Sequence, residues 1–486
     1  MSSLTSNNLK LFIISLSCAF SISLSAQYQS ALRIENYAGI NSIFLNPAST
    51  NNYPLRWDLN LASSNLFIDN SVAYISNTSV GDLSQNADQL RQGWDMENII
   101  GEDLVADFYR DTVGNNYVQA SYTINGPAFL FNTNGGQSFG AFYNFRVMGG
   151  APNLPGSLNY YSYVSRSVDE FIDFPSFNFS FMAWDEIGVH FSQRITTNVG
   201  YISGGINLKF LRGYEAAYFS LNNQTEISFV DNSQIEVSGL NVEYGYTTSN
   251  IDILETQTFN PNPTGRGFGV DIGFNYVIED ETETPKLRLG ASINDIGAVN
   301  FKTDSEVHVL RGAQNITFNE STYQSFSTIE EARDQASRDV LGAINLSQSD
   351  EFLRVALPTT FSLQADYKVL ENVFVSGLFI NRISFSPSAV KATNFLSLAP
   401  RFEHRWGMLS LPVNITEYKR LKMGAAMRLG FIILGTDDLA SILGTKEFRS
   451  TDFYIGIKAN PFKIGKSKRG SSKGNGKKTQ VKCYKF

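Results

Sequence analysis

Long stretches of this chain alternate strictly between apolar and polar residues, and a period of two dictates extended strands. Phe361, Leu363, Ala365 and Tyr367 interleave with Thr360, Ser362, Gln364 and Asp366. Val270, Ile272, Phe274 and Tyr276 interleave with Asp271, Gly273 and Asn275. Ile202, Ile206, Leu208 and Phe210 oppose Ser203, Gly205, Asn207 and Lys209, and the rhythm returns at 118–124, 139–147, 287–294, 423–429 and 453–460.

Two architectures use such strands. A soluble sandwich or propeller turns its apolar face inward and its charged face outward, with turn signals about every 8–12 residues. A transmembrane barrel inverts this, with apolar side chains toward lipid and polar ones toward the lumen. Composition favours the second. Only 17% of the 486 residues are charged, against 42% hydrophobic and 13% aromatic, whereas about a quarter of a soluble domain is charged. The polar strand faces are rich in Gly, Ser and Asn rather than Lys and Glu, and the strands are about ten residues long, as a tilted span requires. No run of about 18 apolar residues follows the N-terminus, so a bundle of membrane helices is excluded. Strands in lipid must close on themselves, because an open edge leaves backbone groups unpaired. The expected fold is all-β: a single transmembrane antiparallel barrel of about 14 strands, with a few short helices in loops.

The chain divides accordingly. Residues 1–26 read as a secretory signal, with Lys10, an apolar stretch over 11–24 and a cleavage point at Ser25-Ala26-Gln27. Residues 27–53 form an N-terminal segment, 54–462 the barrel and 463–486 a basic tail. Short links at 196–198, 369–372, Trp406-Gly407 and around Gly430 read as periplasmic turns, and long links at 76–115, 148–175, 307–353 and 382–393 as outer loops. This places the C-terminus in the periplasm. It also leaves the parity off by one in the middle, so either 251–259 is a strand or a loop is misassigned. The first strand is expected at 55–61. Tyr201, Phe210, Tyr276, Tyr367, Trp406 and Phe462 fall near strand ends, where interfacial aromatic girdles sit. Helix-compatible stretches are 82–111, 165–171, a helix over 330–341 behind the capping box Ser327-Thr328-Ile329-Glu330, and 436–443, capped by Thr436 with Asp437 and Asp438 in its first turn.

Particular segments carry a resemblance. The run Tyr37-Ala38-Gly39-Ile40-Asn41-Ser42-Ile43-Phe44-Leu45-Asn46-Pro47-Ala48 resembles the Asn-Pro-Ala segment of FadL-type barrels and of outer-membrane proteins that accompany type IX secretion and gliding. Residues 266–276, 287–299 with Asn294-Asp295-Ile296-Gly297, and 423–439 with Arg428-Leu429-Gly430 and Gly435-Thr436-Asp437-Asp438-Leu439 fit too. Together they are similar to a Gram-negative outer-membrane family known as a domain of unknown function (5723 type). The resemblance implies a hatch inside the barrel, formed by 37–49 with Asn46, Pro47 and Ala48 at its centre. The plain alternative is a simple turn before the first strand.

No catalytic constellation stands out. His190, His308 and His404 are isolated in sequence, and no Cys or His spacing suits zinc. Gly465-Lys466-Ser467 and 265–269 lack the context of phosphate or dinucleotide loops. The chain is not expected to be an enzyme or to hold a cofactor or metal; a Ser–His hydrolase pair would have to take His190. Asp437-Asp438 is explained by N-capping without an ion. The candidate lumen-lining residues are Asp271, Asn275, Arg288, Asp366, Arg428 and Lys458, together with Asp58 and Asn60. They either line a pore or hydrogen-bond one another inside a filled barrel.

The formal charge of −7 hides an acidic body and a tail, 463–486, with nine basic residues and no acid. An acidic body is a poor nucleic-acid binder. The tail lacks the apolar content to fold alone and is suited to a periplasmic or cell-envelope partner or anionic headgroups; it carries Cys483, which has no intramolecular partner once the signal is removed. Expected partners are outer-membrane lipid and a hydrophobic ligand. Two functions remain open at this point: FadL-like transport of a hydrophobic or amphiphilic ligand, and a non-transporting scaffold or accessory for secretion or surface assembly.

Overall fold

The alternating stretches form one sheet that closes on itself. The computed structural model describes residues 28–78, 106–108, 115–158, 171–230, 234–248, 262–280, 285–312, 315–319, 322 and 329–460. The barrel strands are β1 (Trp57–Asn70), β2 (Asn115–Asn132), β3 (Gln137–Pro155), β4 (Phe177–Thr197), β5 (Gly200–Leu221), β6 (Gly265–Glu279) and β7 (Pro285–Phe301). They continue with β8 (Thr360–Leu370), β9 (Val373–Arg382), β10 (Phe395–His404), β11 (Gly407–Ser410 and Val413–Thr416), β12 (Arg420–Met423 and Ala425–Leu429), β13 (Ile432–Thr436) and β14 (Ser450–Ala459). Each pairs antiparallel with the next, and β14 returns to β1 with Ser64 opposite Ile455. The breaks inside β11 and β12 have one cause. Pro412 has no N–H for the ladder, and its carbonyl instead accepts from Gly424 at 2.8 Å.

The two faces are inverted relative to a soluble protein. Along β6 Phe268 is 73% exposed and Ile272 and Phe274 stand out with it, while Asp271 and Asn275 are buried. Strand β10 alternates buried and exposed without a break over ten residues. Exposed apolar side chains recur around the wall, among them Ile187, Val189, Leu208, Leu363, Leu398, Leu409 and Ile457. Lipid removes the penalty for that exposure, and makes the closed hydrogen-bond ladder obligatory. Across β3, β4 and β5 the apolar band gives way to an outward-facing polar cluster, in which Tyr143, Tyr214 and Arg212 all donate to Asp185, Tyr214 at 2.9 Å. Tyrosine hydroxyls and a paired charge are what a lipid–water boundary tolerates. The all-β transmembrane barrel expected from the sequence is the observed fold.

Both ends of the barrel are ordered by connection length. One rim carries tight turns at Asn198-Val199, Glu371-Asn372, Arg405-Trp406 and Gly430-Phe431, where Gly430 has φ 57°. The opposite rim carries the long connections. Strand β5 pairs directly with β6, so the barrel closes without 251–259, which lies outside the described residues; the parity conflict came from a loop. Several expectations are corrected. The first strand is Trp57–Asn70 rather than 55–61. Within 82–111 the described residues Ala106–Phe108 are a strand, and Phe171, expected to end a helix, begins the strand Phe171–Phe174. Asp438 is the N-cap residue of the helix Leu439–Leu443 but makes no side-chain cap bond; its carboxylate accepts from Ser450 at 2.5 Å instead. Tyr201 points inward rather than into an aromatic girdle. The signal, the tail and Cys483 lie outside the described residues.

Strand β5 is 22 residues long, about 70 Å at ~3.3 Å per residue, far more than a span needs. Beyond the lipid band it is joined by Asn241–Thr247, Ser305–Arg311, a four-stranded sheet and the helix Ile329–Leu341. The helix buries Ala336, Val340 and Leu341 against Ile172, Leu221 and Leu310. Its other tie is ionic: Arg333 lies 2.7 Å from Glu306, which also accepts from Tyr246 at 3.0 Å and meets His308 at 3.1 Å.

Two outcomes follow. Phe274→Arg places a charge in the lipid band and is expected to cost about 2–4 kcal/mol of stability, read as a lowered urea midpoint in lipid vesicles; an unchanged midpoint would remove Phe274 from lipid. The second concerns pH. Burial alone would raise the Glu306 carboxyl, but hydrogen bonds from His308 and Tyr246 and the Arg333 charge outweigh it and hold it below its usual range. Burial pushes His308 down as well. A depressed carboxylate stabilises above its unfolded pKa and loses that contribution as pH falls through the folded one, and a buried neutral histidine resists charging below about 6.5. Acidification therefore loosens the helix. A nitroxide at Arg338→Cys in a Cys483→Ser background should gain mobility between pH 7 and pH 4, and Glu306→Gln should show that mobility already at pH 7; a label indifferent to both would contradict the ionic tie.

Candidate functional site

Residues 28–53 lie inside the barrel. They begin with the helix Ser30–Ile34 and continue as two short 3-10 turns, Gly39–Phe44 and Pro47–Asn52. Regular structure is ruled out locally by Pro47, which lacks a donor, and by Gly39, whose φ of 59° only glycine adopts freely. A Cβ at Gly39 would also lie 2.1 Å from the Asp58 carboxylate, which accepts from the Ile40 amide at 2.8 Å. Such a segment cannot satisfy its own backbone, so the wall does it. Ser292 and Asn294 donate to the Leu45 carbonyl at 2.7 and 2.8 Å, Ser203 to that of Ala48 at 3.1 Å, and Lys458 to that of Ala38 at 2.6 Å.

Asn46 is the centre of this contact. It is 0% exposed, and its side-chain oxygen caps the second turn by accepting from the Ala48 amide at 2.9 Å. Its amide nitrogen donates across the lumen to Asn275 at 2.9 Å and to Gln364 at 2.7 Å. Pro47 and Ala48 follow at the wall. Three wall glycines make room: a Cβ at Gly273 would lie 2.0 Å from Asn46 Oδ1, one at Gly290 2.9 Å from Asn46 Nδ2, and one at Gly205 2.4 Å from the Pro47 carbonyl carbon. Glycine within a strand marks close approach of another backbone. Thr50 continues the series, 3.0 Å from His190 Nε2 and 2.7 Å from Ser192 Oγ, and Tyr201 donates to Asn52 at 2.5 Å.

The candidate lining residues all face inward, and they pair. Asp271 lies 2.7 Å from Lys209 and accepts from Asn207 at 2.8 Å. Arg288 donates to Asp366 at 3.0 Å and to the Ile34 carbonyl. Arg428 holds Glu35 at 2.8 Å, and Lys458 holds Asp58 at 3.0 Å. Asn60 donates to the Gly126 carbonyl at 3.1 Å. Partners not singled out from the sequence complete the network: Arg401 bridges Asp366 at 2.7 Å and Glu403 at 2.8 Å, and Arg146 bridges Asp295 at 2.9 Å. Arg401 and Glu403 sit two apart on one face, so the alternation could have found them. Asp295 was hidden, because φ 58° there makes a bulge that turns both Asn294 and Asp295 inward.

From the long-connection rim, residues 383–394 fold into the mouth. Val390 donates its amide to the Ala356 carbonyl at 3.0 Å, and Ser180 donates to the Ala389 carbonyl at 2.8 Å. Val390 and Leu357 fill a hollow walled by Met148, Met182, Trp184, Leu211, Val299 and Phe301. The two closures meet where the Tyr28 hydroxyl donates to the Thr393 carbonyl at 2.6 Å. The lumen thus has an apolar outer part under the loop and a polar inner part under the N-terminal segment. Between them lies a cavity of about 70 Å³. His190 is held by Thr50 and by Asn207, at 2.8 Å; its contacts place it in the packing of the segment. His404 faces outward at the end of β10.

Residues 47–437 match DUF5723, described as a family of unknown function. No curated protein matches the sequence. Among solved structures, the chain is similar to the toluene transporter TbuX of Ralstonia pickettii, at 9% identity over 86% of this chain and 92% of that one, with a TM-score of 0.38. It is also similar to the toluene transporter TodX of Pseudomonas putida, at 11% identity over 90% and 93%, with a TM-score of 0.35.

Gly273→Val should unseat the N-terminal segment while leaving the ladder intact. A cysteine at Ala48→Cys, in a Cys483→Ser background, is then expected to react with a maleimide that does not reach it when Gly273 is present. Equal protection in both would contradict the seat described. Asn46→Ala, which strands Asn275 and Gln364, is expected to cost about 1–3 kcal/mol in the unfolding midpoint.

Proposed function

The chain belongs to the DUF5723 family, and we propose that it is a gated outer-membrane barrel that passes an amphiphilic ligand. The observation that carries the reading is that the lumen is shut twice by its own chain, through contacts that are all non-covalent. From the rim with long connections, taken as the cell exterior because short turns face the periplasm in such barrels, loop 383–394 occupies an apolar hollow that a ligand's hydrocarbon part would fill once the loop withdraws. Below it the N-terminal segment is a hatch, with Asn46, Pro47 and Ala48 against the wall. Its seat is made of hydrogen bonds and the Arg428–Glu35 ion pair, whose partners water entering the lumen can replace one by one. The apolar-then-polar order of the lumen suits an amphiphile better than a purely hydrophobic compound.

A second reading rests on the extension beyond the lipid band. The four-stranded sheet and the helix Ile329–Leu341 form a platform that ligand passage does not require, and a scaffold for surface assembly would use it.

Thr50 and Ser192 distinguish the two. Their hydroxyl oxygens are 2.7 Å apart, so Thr50→Cys with Ser192→Cys, in a Cys483→Ser background, can lock the hatch to β4 by a disulfide. Transport predicts that oxidised cells take up a fluorescent amphiphile no faster than cells lacking the protein, and that reduction restores uptake. Uptake unchanged by the lock would overturn the gated reading, and a scaffold would keep its partners whether locked or not.

A further inference from the structure

Among the charged residues around the internal cavity, Arg33 makes no ion pair, and the carboxylates of Asp437 and Asp295 act on it only at longer range. It sits in the helix Ser30–Ile34, is 8% exposed, and lies over the Phe44 ring at 5.6 Å. Its Nε has no hydrogen-bond partner, and among the described residues no carboxylate comes within ion-pair distance of it. The other cations of the cavity are paired: Lys209 with Asp271 and Asp295 at 2.7 and 2.6 Å, and Arg146 with Asp295 at 2.9 Å and Glu186 at 3.6 Å. The acids are therefore already engaged.

An isolated buried charge is costly, and a guanidinium does not relieve it by losing its proton. We propose that the cavity binds an oxyanion, a carboxylate or phosphate group, with Arg33 as its counter-ion. The planar fork of Arg33 presents parallel donors to two oxygens of such a group. Ser121, whose Oγ has no hydrogen-bond partner, and Thr123 also line the cavity and supply hydroxyl donors to the remaining oxygens. A volume of about 70 Å³ exceeds the ~10–15 Å³ that one water needs on the same measure, room for the head of an anion with a short hydrocarbon beside it. Phe44 and Leu45 form the apolar side, where a short hydrocarbon would lie. Arg33 belongs to the same buried segment as Asn46, so the anion would tie that segment to the wall. The binding itself requires no movement of the hatch.

The test uses the full chain in a non-ionic detergent at constant ionic strength. The unfolding temperature is followed as chloride is replaced by acetate, phosphate or octanoate. Acetate or phosphate should raise it by several degrees in the wild-type chain. In R33Q the response should vanish, and in chloride R33Q should be at least as stable as wild type, because a lone charge has gone. If octanoate acts at tenfold lower concentration than acetate, the source is the head of an amphiphile; equal potency points to a free anion. No difference between these anions and chloride, or an undiminished response in R33Q, would overturn the proposal. Should R33Q not fold, R33K keeps the charge without the fork and must weaken the response at least several-fold; an equal response would contradict the site.

Discussion

Every polar group that the barrel wall turns inward must find a partner in a space from which bulk water is largely excluded. Lipid imposes the problem by demanding apolar side chains on the outside, which leaves the polar half of each alternation facing in. The wall solves part of it by cross-strand ion pairs such as Arg288–Asp366 and Lys209–Asp271. The remainder needs donors and acceptors that no strand can supply, because strand backbones are consumed by the ladder. Residues 28–53 supply them. An irregular segment has spare carbonyls and amides, and those of Ala38, Ile40, Leu45 and Ala48 are the ones that the wall side chains Lys458, Asp58, Ser292 and Ser203 reach.

This reciprocity explains features that are costly when considered singly. Glycine weakens a strand, yet Gly205, Gly273 and Gly290 cluster where the Asn46-Pro47 backbone passes. Removing one member of a buried pair leaves a stranded charge, which is why such networks are kept whole. Arg428 of β12 ties the segment through Glu35, and the wall pair of Lys458 on β14 and Asp58 on β1 meets it at the Ala38 carbonyl and the Ile40 amide, near the turn rim. Loop 383–394 acts differently: it enters the other end and seals it with Val390 against Trp184 and its apolar neighbours. One end is closed by polar matching and the other by apolar packing.

The barrel was legible in the sequence because its cause is local. Alternation over ten residues states which side of a strand meets lipid, and Asp271, Asn275, Asp366 and Lys458 all face where their spacing puts them. The site was legible in part. Asn46 and Pro47 stood out through the resemblance carried by 37–48, but the Asn46 partners Gln364 and Asn275 are more than two hundred residues away, and such pairings leave no trace in spacing. Tyr201 misled because a strand-end aromatic serves an interface or a hydrogen bond equally well, and only Asn52 decides. Asp295 misled by breaking the period with a left-handed backbone. The inward course of 383–394 was invisible, since Ala389, Val390 and Ala392 look like any small apolar loop residues until the hollow they fill is known.

The central claim is that, in the absence of ligand, 39–52 is seated in the barrel interior. Hydrogen–deuterium exchange of the full chain in lipid nanodiscs tests it directly. The amides of Ile40 and Asn46 are hydrogen-bonded to Asp58 and Ser42 at 2.8 and 2.9 Å, and the account predicts that the segment exchanges as slowly as β6 although it contains no regular ladder. Exchange within seconds, at the rate of a solvated peptide, would contradict it and leave the polar wall of the lumen without its partner.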